Sequence, residues 1–327
     1  MAKFSRIFAD LKMPHHVDGR GDVFAARHLD SRGVFRLGRD SAGRPALLVT
    51  VTGQASLGAP VELRNIVFRP AQTCRVRTEH GEERLPLSVI RCMSNDAGLQ
   101  RYFLDTLDVA IASLPTAPSA SDLSSTVQHL IELFTALEQP PRATAQGLWC
   151  ELLLLASARS VREAVIAWHR DPADVHDFSA GTQRVEVKST LSPLRAHHFS
   201  LQQLVPAEGV IVASFILDGD GAGASIADLW EELTARQDLT DEHRRRIAGT
   251  IAGALGTEWR RARQVAFDRD LALAGMRLYL ADSIPKVDPE LPPGVRDVRF
   301  SSELTDTPSE AIPGLVARGG LFAALWG

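Results

Sequence analysis

The sequence predicts an α/β chain, α+β overall, with a β-rich N-terminal region ahead of a C-terminal part where strands and helices mix. Three observations carry this. Short β-like runs broken by Gly, Pro, Asn, Asp and Ser crowd residues 33–92. Apolar residues at helical spacing follow them. Beyond residue 177, runs of β-branched residues alternate with amphipathic helical patterns.

FSRIFADLK near the N-terminus reads as a short amphipathic helix. GVFRLGR, PALLVTVTG, ELRNIVFRP, TCRVRTE and LPLSVIRC then read as a meander of antiparallel strands. Leu99, Phe103, Leu107 and Ala110 mark one helix; Leu123, Val127, Leu130, Ile131 and Phe134 mark a second. EQPPRAT at 138–144 interrupts the pattern, so we expect one region over 1–140 and a second domain over 141–327. GLWCELLLLASARS and SVREAVIAWHR open the second domain as helices, and DPADVHDFSAGTQRVEVKST turns to strands around a Gly-containing turn. HHFSLQQL reads as a short helix and GVIVASFILDG as a buried strand. ASIADLWEELTARQ and TDEHRRRIAGTIAGAL read as helices, MRLYLADSI and VRDVRFSSEL as late strands.

With 327 residues, 45% of them hydrophobic and 23% charged, the chain has ample material for a core. A net charge of −4 excludes a protein that binds nucleic acid by being basic throughout. The Arg clusters HRRR at 243–246 and WRRAR at 259–263 read as solvated helix faces. Cys74, Cys92 and Cys150 are far apart and form no Cys-x-x-Cys pair, which argues against a disulfide framework or a zinc knuckle. No apolar run is long enough to span a bilayer and the N-terminus lacks a signal-peptide core, so a cytoplasmic location is expected.

Only four lysines, Lys3, Lys12, Lys188 and Lys286, stand among 36 basic residues. One lies in RVEVKST, where the strand period puts Glu186 and Lys188 on one face and Val185 and Val187 on the other. An isolated Glu-x-Lys is usually an ion pair on an edge strand, and Asp10-Leu11-Lys12 offers the same spacing in a helical context. Context decides between them. Asp177 lies a hairpin's length upstream of Glu186, and Glu151 on the preceding helix can approach the same end. Hard divalent cations take carboxylate oxygens, and a compact ammonium such as that of Lys188 can stabilise charge on a phosphate.

The order helix-Glu, strand-Asp, strand Glu-x-Lys resembles the PD-(D/E)xK nuclease superfamily, whose core is the restriction-endonuclease-like fold. GLWCELLLL, AWHR, HDF, VEVKST, RAHHFS and QQL together resemble the bacterial PD-(D/E)xK motif proteins of the DUF4420 family. The resemblance implies Asp177 and Glu186 as metal ligands, Lys188 as the catalytic lysine and Glu151 as the helix acid. It also implies Gln203 as a site glutamine, with Gln202 its competitor, and Asp174 and Asp171 as alternative first acids. His176 stands where the superfamily name places Pro. His197 and His198 are candidates for touching phosphate, or else surface residues. The implied activity is Mg²⁺-dependent phosphodiester hydrolysis, with Mn²⁺ as a substitute, acting on DNA in bacterial defence beside other defence-system proteins. A rival reading keeps the fold as an assembly module without cleavage.

Overall fold

The computed structural model describes residues 3–14, 22–30, 33–50, 57–78, 81–115, 118–139, 144–169, 174–205, 208–218, 223–287 and 290–327. The chain divides into two compact units, Met1–Pro140 and Pro141–Gly327. Among the described residues no helix is long and apolar enough to cross a membrane.

The first unit begins with α1 (Lys3–Asp10), followed by β1 (Val23–His28), β2 (Phe35–Asp40) and β3 (Pro45–Thr50). Next come β4 (Val61–Glu62), β5 (Ile66–Thr78), β6 (Gly81–Cys92), α2 (Ala97–Ala112) and α3 (Ala120–Ala136). The strands do not form a simple meander. Their order is β1-β2-β3-β6-β5-β4, and β1 also pairs in parallel with β5 through Val23↔Arg75 to Ala25↔Arg77. The ring β1-β2-β3-β6-β5 thus closes on itself, which removes the free edges of an open sheet. Its interior is filled by Phe24, Ala26, Ala46, Leu48, Cys74, Val76, Leu87 and Val89.

ELRNIVFRP and TCRVRTE belong to one strand, β5, bent by a bulge between Arg69 and Gln72. Pro70 cannot donate to the ladder, Ala71 takes φ 47°, and the Ala71 amide donates instead to the buried Ser88 hydroxyl at 3.1 Å. In α3, Leu133 rather than Ile131 joins the buried face, beside Leu130 and Phe134. A capping box between Ser119 and Asp122 starts that helix.

The second unit runs α4 (Ala145–Ser157), α5 (Val161–Ala167), β7 (Phe178–Ala180), β8 (Gln183–Thr190), β9 (Ala196–Ser200), α6 (Leu201–Leu204) and β10 (Val210–Ile216). It continues with β11 (Ala224–Ser225), α7 (Ile226–Ala235), α8 (Asp241–Leu255), α9 (Trp259–Ala262), β12 (Ala266–Phe267) and α10 (Arg269–Ala274). β13 (Arg277–Leu280), β14 (Arg299–Glu303), α11 (Ile312–Val316) and α12 (Gly320–Trp326) complete it. Its main sheet has the order β13-β10-β8-β7, with β8 parallel to β10 and both outer pairings antiparallel. Helices and sheets mix as the α/β class expected from the sequence requires.

β8 is therefore an interior strand, not an edge. Val185, Glu186 and Val187 are all buried, because α4 packs against β8 and the opposite face carries a core of Phe199, Leu204, Val210, Val212 and Tyr279. The partner β7 is short and covers β8 only from Gln183 to Val185. The backbone beyond it, at Glu186 to Thr190, has one side open to other elements.

HHFSLQQL is half strand and half helix. Ala196–Ser200 alternates exposed and buried positions, placing His197 and Phe199 inward and leaving His198 exposed, and only Leu201–Leu204 is helical. The HRRR cluster is no simple solvated face either. Arg244 donates to the carbonyls of Thr234 and Arg236 at 2.9 and 2.6 Å, and Arg246 donates to that of Trp168 at 2.7 Å.

Gly209, at the entry to β10, has φ +73°, and its carbonyl accepts the Arg184 amide of β8 at 2.8 Å. A Cβ there would lie 2.3 Å from the Thr182 carbonyl oxygen, whereas one at Gly181 (φ +56°) would meet nothing within 4 Å. Gly181→Ala is expected to cost about 1 kcal/mol from the left-handed backbone alone. Gly209→Ala adds a backbone collision and is expected to cost about 2–4 kcal/mol. Urea denaturation of both variants checks this; equal losses would show that the collision is relieved.

Candidate metal centre

Four segments meet where β7 ends short of the site. Glu151 projects from the middle of α4, a helix whose residues Leu148 to Ala156 are all buried. Its Oε2 accepts two hydrogen bonds: from the Trp168 indole at 2.8 Å and with His169 Nε2 at 2.8 Å. Trp168 and His169 follow α5 directly. Trp168 forms a bridge to Phe178, and the His169 amide donates to the Asp177 carbonyl at 2.8 Å, so this turn is stitched to the start of β7.

Asp177 accepts the Val187 amide of β8 at 2.7 Å through Oδ2. Its other oxygen lies 4.0 Å from His169 Nε2. Ligand atoms of Glu151, His169 and Asp177 all lie within 4.8 Å of one another. Glu186 stands beside this group. Its Oε1 receives Lys188 Nζ at 2.7 Å and the Gln203 amide at 2.5 Å, while its buried Oε2 has no hydrogen-bond partner among the described residues.

Lys188 is held from three directions. Besides Glu186, its ammonium donates to the Gln203 side-chain carbonyl at 3.3 Å and sits 5.2 Å from the centre of the Phe199 ring. Gln203 is positioned by the start of α6, where its side-chain oxygen accepts the Ser200 amide at 3.0 Å in a capping box. His176, in the place of the name-giving Pro, reaches the Gln203 carbonyl at 3.0 Å and ties the Asp177 segment to α6.

The electrostatics follow from crowding acids in a buried place. Burial, then the charges of Glu186 and Glu151, push the Asp177 carboxyl well above its ordinary range. Burial likewise pushes Glu186 up to about 7, against the opposing pull of Lys188. A cation is the partner such a site suits. The gathered oxygens of Glu151 and Asp177, with the His169 nitrogen among them and beside them a buried Glu186 oxygen that has no hydrogen-bond partner among the described residues, fit a hard or borderline divalent ion.

Of the residues singled out from the sequence, Glu151, Asp177, Glu186, Lys188 and Gln203 come together. Gln202 is exposed and takes no part. Asp174 is described but is not in the group of potential ligands, and Asp171 lies outside the described residues. His197 is buried, hydrogen-bonded to the Ser214 hydroxyl at 2.7 Å and pushed down to about 4, first by burial and then by Lys188. It is neither a surface residue nor a phosphate ligand in this arrangement. Arg195 of RAHHFS is buried too and donates to Ser214 and to the Gly275 carbonyl. His169 was not singled out. Its signal was modest: a histidine directly after an apolar helix and just before the acid-rich DPAD.

A family model described as "Putative PD-(D/E)XK family member, (DUF4420)" matches residues 4–305. No curated protein and no solved structure matches the chain.

Proposed function

The chain belongs to the PD-(D/E)XK family DUF4420, and from that membership we propose that its second unit is a divalent-metal-dependent nuclease cutting DNA internally. One observation carries the reading. Glu151 and Asp177, from separate elements, bring ligand oxygens within 4.8 Å of each other and of His169, and the buried Glu186 beside them is paired with the Lys188 ammonium.

Asp177 and Glu186 would hold a divalent cation, Mg²⁺ or Mn²⁺, with Glu151 beside them. A bound divalent cation supplies electrostatic stabilisation of the charge that grows on a phosphodiester under attack. The chain's own groups do the rest. Lys188 presents a compact positive charge to a phosphate oxygen, and Gln203 fixes where that charge sits. Trp168 holds the Glu151 carboxylate in one orientation. The reaction adds water across the phosphodiester: its oxygen joins phosphorus, the P–O bond to the leaving sugar oxygen breaks, and that oxygen takes up a proton. The three free cysteines, all buried, suit a reducing cytoplasm, and a bacterial defence role beside other proteins of such a system is the setting we propose.

A second reading has its own support. Lys188 is ion-paired with Glu186 rather than directed into open space, as it would be in a nuclease-like module that assembles with partners and does not cut. Incubation of plasmid and single-stranded DNA with Mg²⁺ or Mn²⁺, using wild type, Lys188→Ala and Asp177→Ala purified identically, separates the two. Metal-dependent cutting lost in both variants is expected. Absence of cutting together with absence of cation binding by calorimetry would favour the assembly module.

A further inference from the structure

We infer that His169 is a nitrogen donor to the cation site, which thereby selects a borderline divalent transition ion of the Mn²⁺ class over Mg²⁺. The inference deepens the metal-dependent reading of this site and rests on it.

Four observations converge. His169 Nε2 belongs to the group of ligand atoms within 4.8 Å of one another, with Glu151 and Asp177 as the other members. Its backbone has φ 40°, a left-handed conformation that a side chain with a Cβ adopts at a cost, and such costs concentrate at functional positions. That conformation is held from both sides. The His169 amide bonds the Asp177 carbonyl, and Trp168 is bridged to Phe178 and capped on its carbonyl by Arg246. Finally, the Glu151 oxygen that His169 touches already has the Trp168 indole as a donor, so satisfying that oxygen does not require the imidazole.

Glu186 supplies the independent sign that an ion belongs here. It is 3% exposed, and its second oxygen has no hydrogen-bond partner among the described residues. A purely oxygen-lined site suits Mg²⁺, whereas imidazole favours transition ions. Replacing one carboxylate-type donor by imidazole therefore shifts preference without demanding a change in the other ligands.

The test is binding of Mg²⁺ and Mn²⁺ to the full chain by calorimetry, with pulsed electron paramagnetic resonance of bound Mn²⁺ to detect directly coordinated nitrogen. Wild type is expected to show the nitrogen coupling. His169→Asn, which tolerates the left-handed backbone, is expected to lose it and to weaken Mn²⁺ binding by roughly 10-fold or more, with Mg²⁺ affinity changed by less than about threefold. His169→Gln, a longer amide, serves as a second variant, and the wild-type spectrum needs no variant at all. Wild-type Mn²⁺ without nitrogen coupling, or an unchanged Mn²⁺ to Mg²⁺ ratio in folded variants, overturns the inference. DNA cleavage measured in parallel keeps the two claims apart. Cutting abolished by Lys188→Ala with a nitrogen-free Mn²⁺ centre removes this inference alone, while a nitrogen-bound Mn²⁺ centre without cutting removes the nuclease reading alone.

Discussion

Replacing Lys188 by alanine will lower the rate of DNA cleavage at saturating cation by roughly 10²–10³-fold, the usual cost of losing one preorganised charge from a reacting phosphate. The magnitude rests on how tightly the ammonium is held: Glu186 Oε1 at 2.7 Å, Gln203 Oε1 at 3.3 Å and the Phe199 ring at 5.2 Å. A group so placed pays no reorganisation when the substrate arrives. Lys188→Arg keeps the charge but spreads it over a planar fork that does not fit the same point between two oxygens. It is expected to restore no more than about a tenth of the wild-type rate. Single-turnover cleavage of a defined duplex measures both. A Lys188→Arg rate equal to wild type would mean that charge alone matters at this position, and an unaffected Lys188→Ala would move the chemistry elsewhere.

That Lys188, Glu186 and Asp177 stood out in the sequence has a local cause. A strand's period of two fixes which residues share a face, and a hairpin brings Asp177, upstream of Glu186, back beside it. Gln203 is named by the family resemblance alone; what places it in the structure is α6 following β9 without a loop. His169 was not legible, because its place depends on a tertiary bridge between Trp168 and Phe178 and on a single residue at positive φ. Neither leaves a periodic trace. The same division holds for the first unit. Several strands and helices followed from apolar spacing, but β1 (Val23–His28) lies ahead of the region read as strands, and its closure onto β5 joins residues about fifty positions apart that no local pattern specifies. The strand Ala196–Ser200 differs from the expected helix for another reason: five residues cannot distinguish a helical from an alternating pattern until one knows that His197 and Phe199 both point inward.

Asp177→Asn will stabilise the cation-free protein, by on the order of 1–3 kcal/mol at pH 8 and by close to nothing below about pH 4. Asp177 is buried beside two other carboxylates, and its folded-state affinity for a proton is raised well above that of the unfolded chain. A carboxyl raised in this way contributes stability that is present below its unfolded pKa and is lost as pH rises through the folded value. Glu186, raised to about 7, adds to the same loss in the same window. Asparagine carries no charge to bury, and its carbonyl can still accept the Val187 amide that Asp177 accepts at 2.7 Å. Thermal melts in EDTA across pH 4–9 should therefore show the two proteins converging at the acid end and separating upward through neutrality. Saturating Mn²⁺ should reverse the order, because a bound cation stabilises only the state that holds it and wild type holds it better. The site is then a place where the fold gives up stability to keep charges together for an ion. If Asp177→Asn is less stable than wild type in EDTA at every pH, the carboxylate is a structural hydrogen-bond acceptor and its proximity to Glu151 and Glu186 has no such meaning.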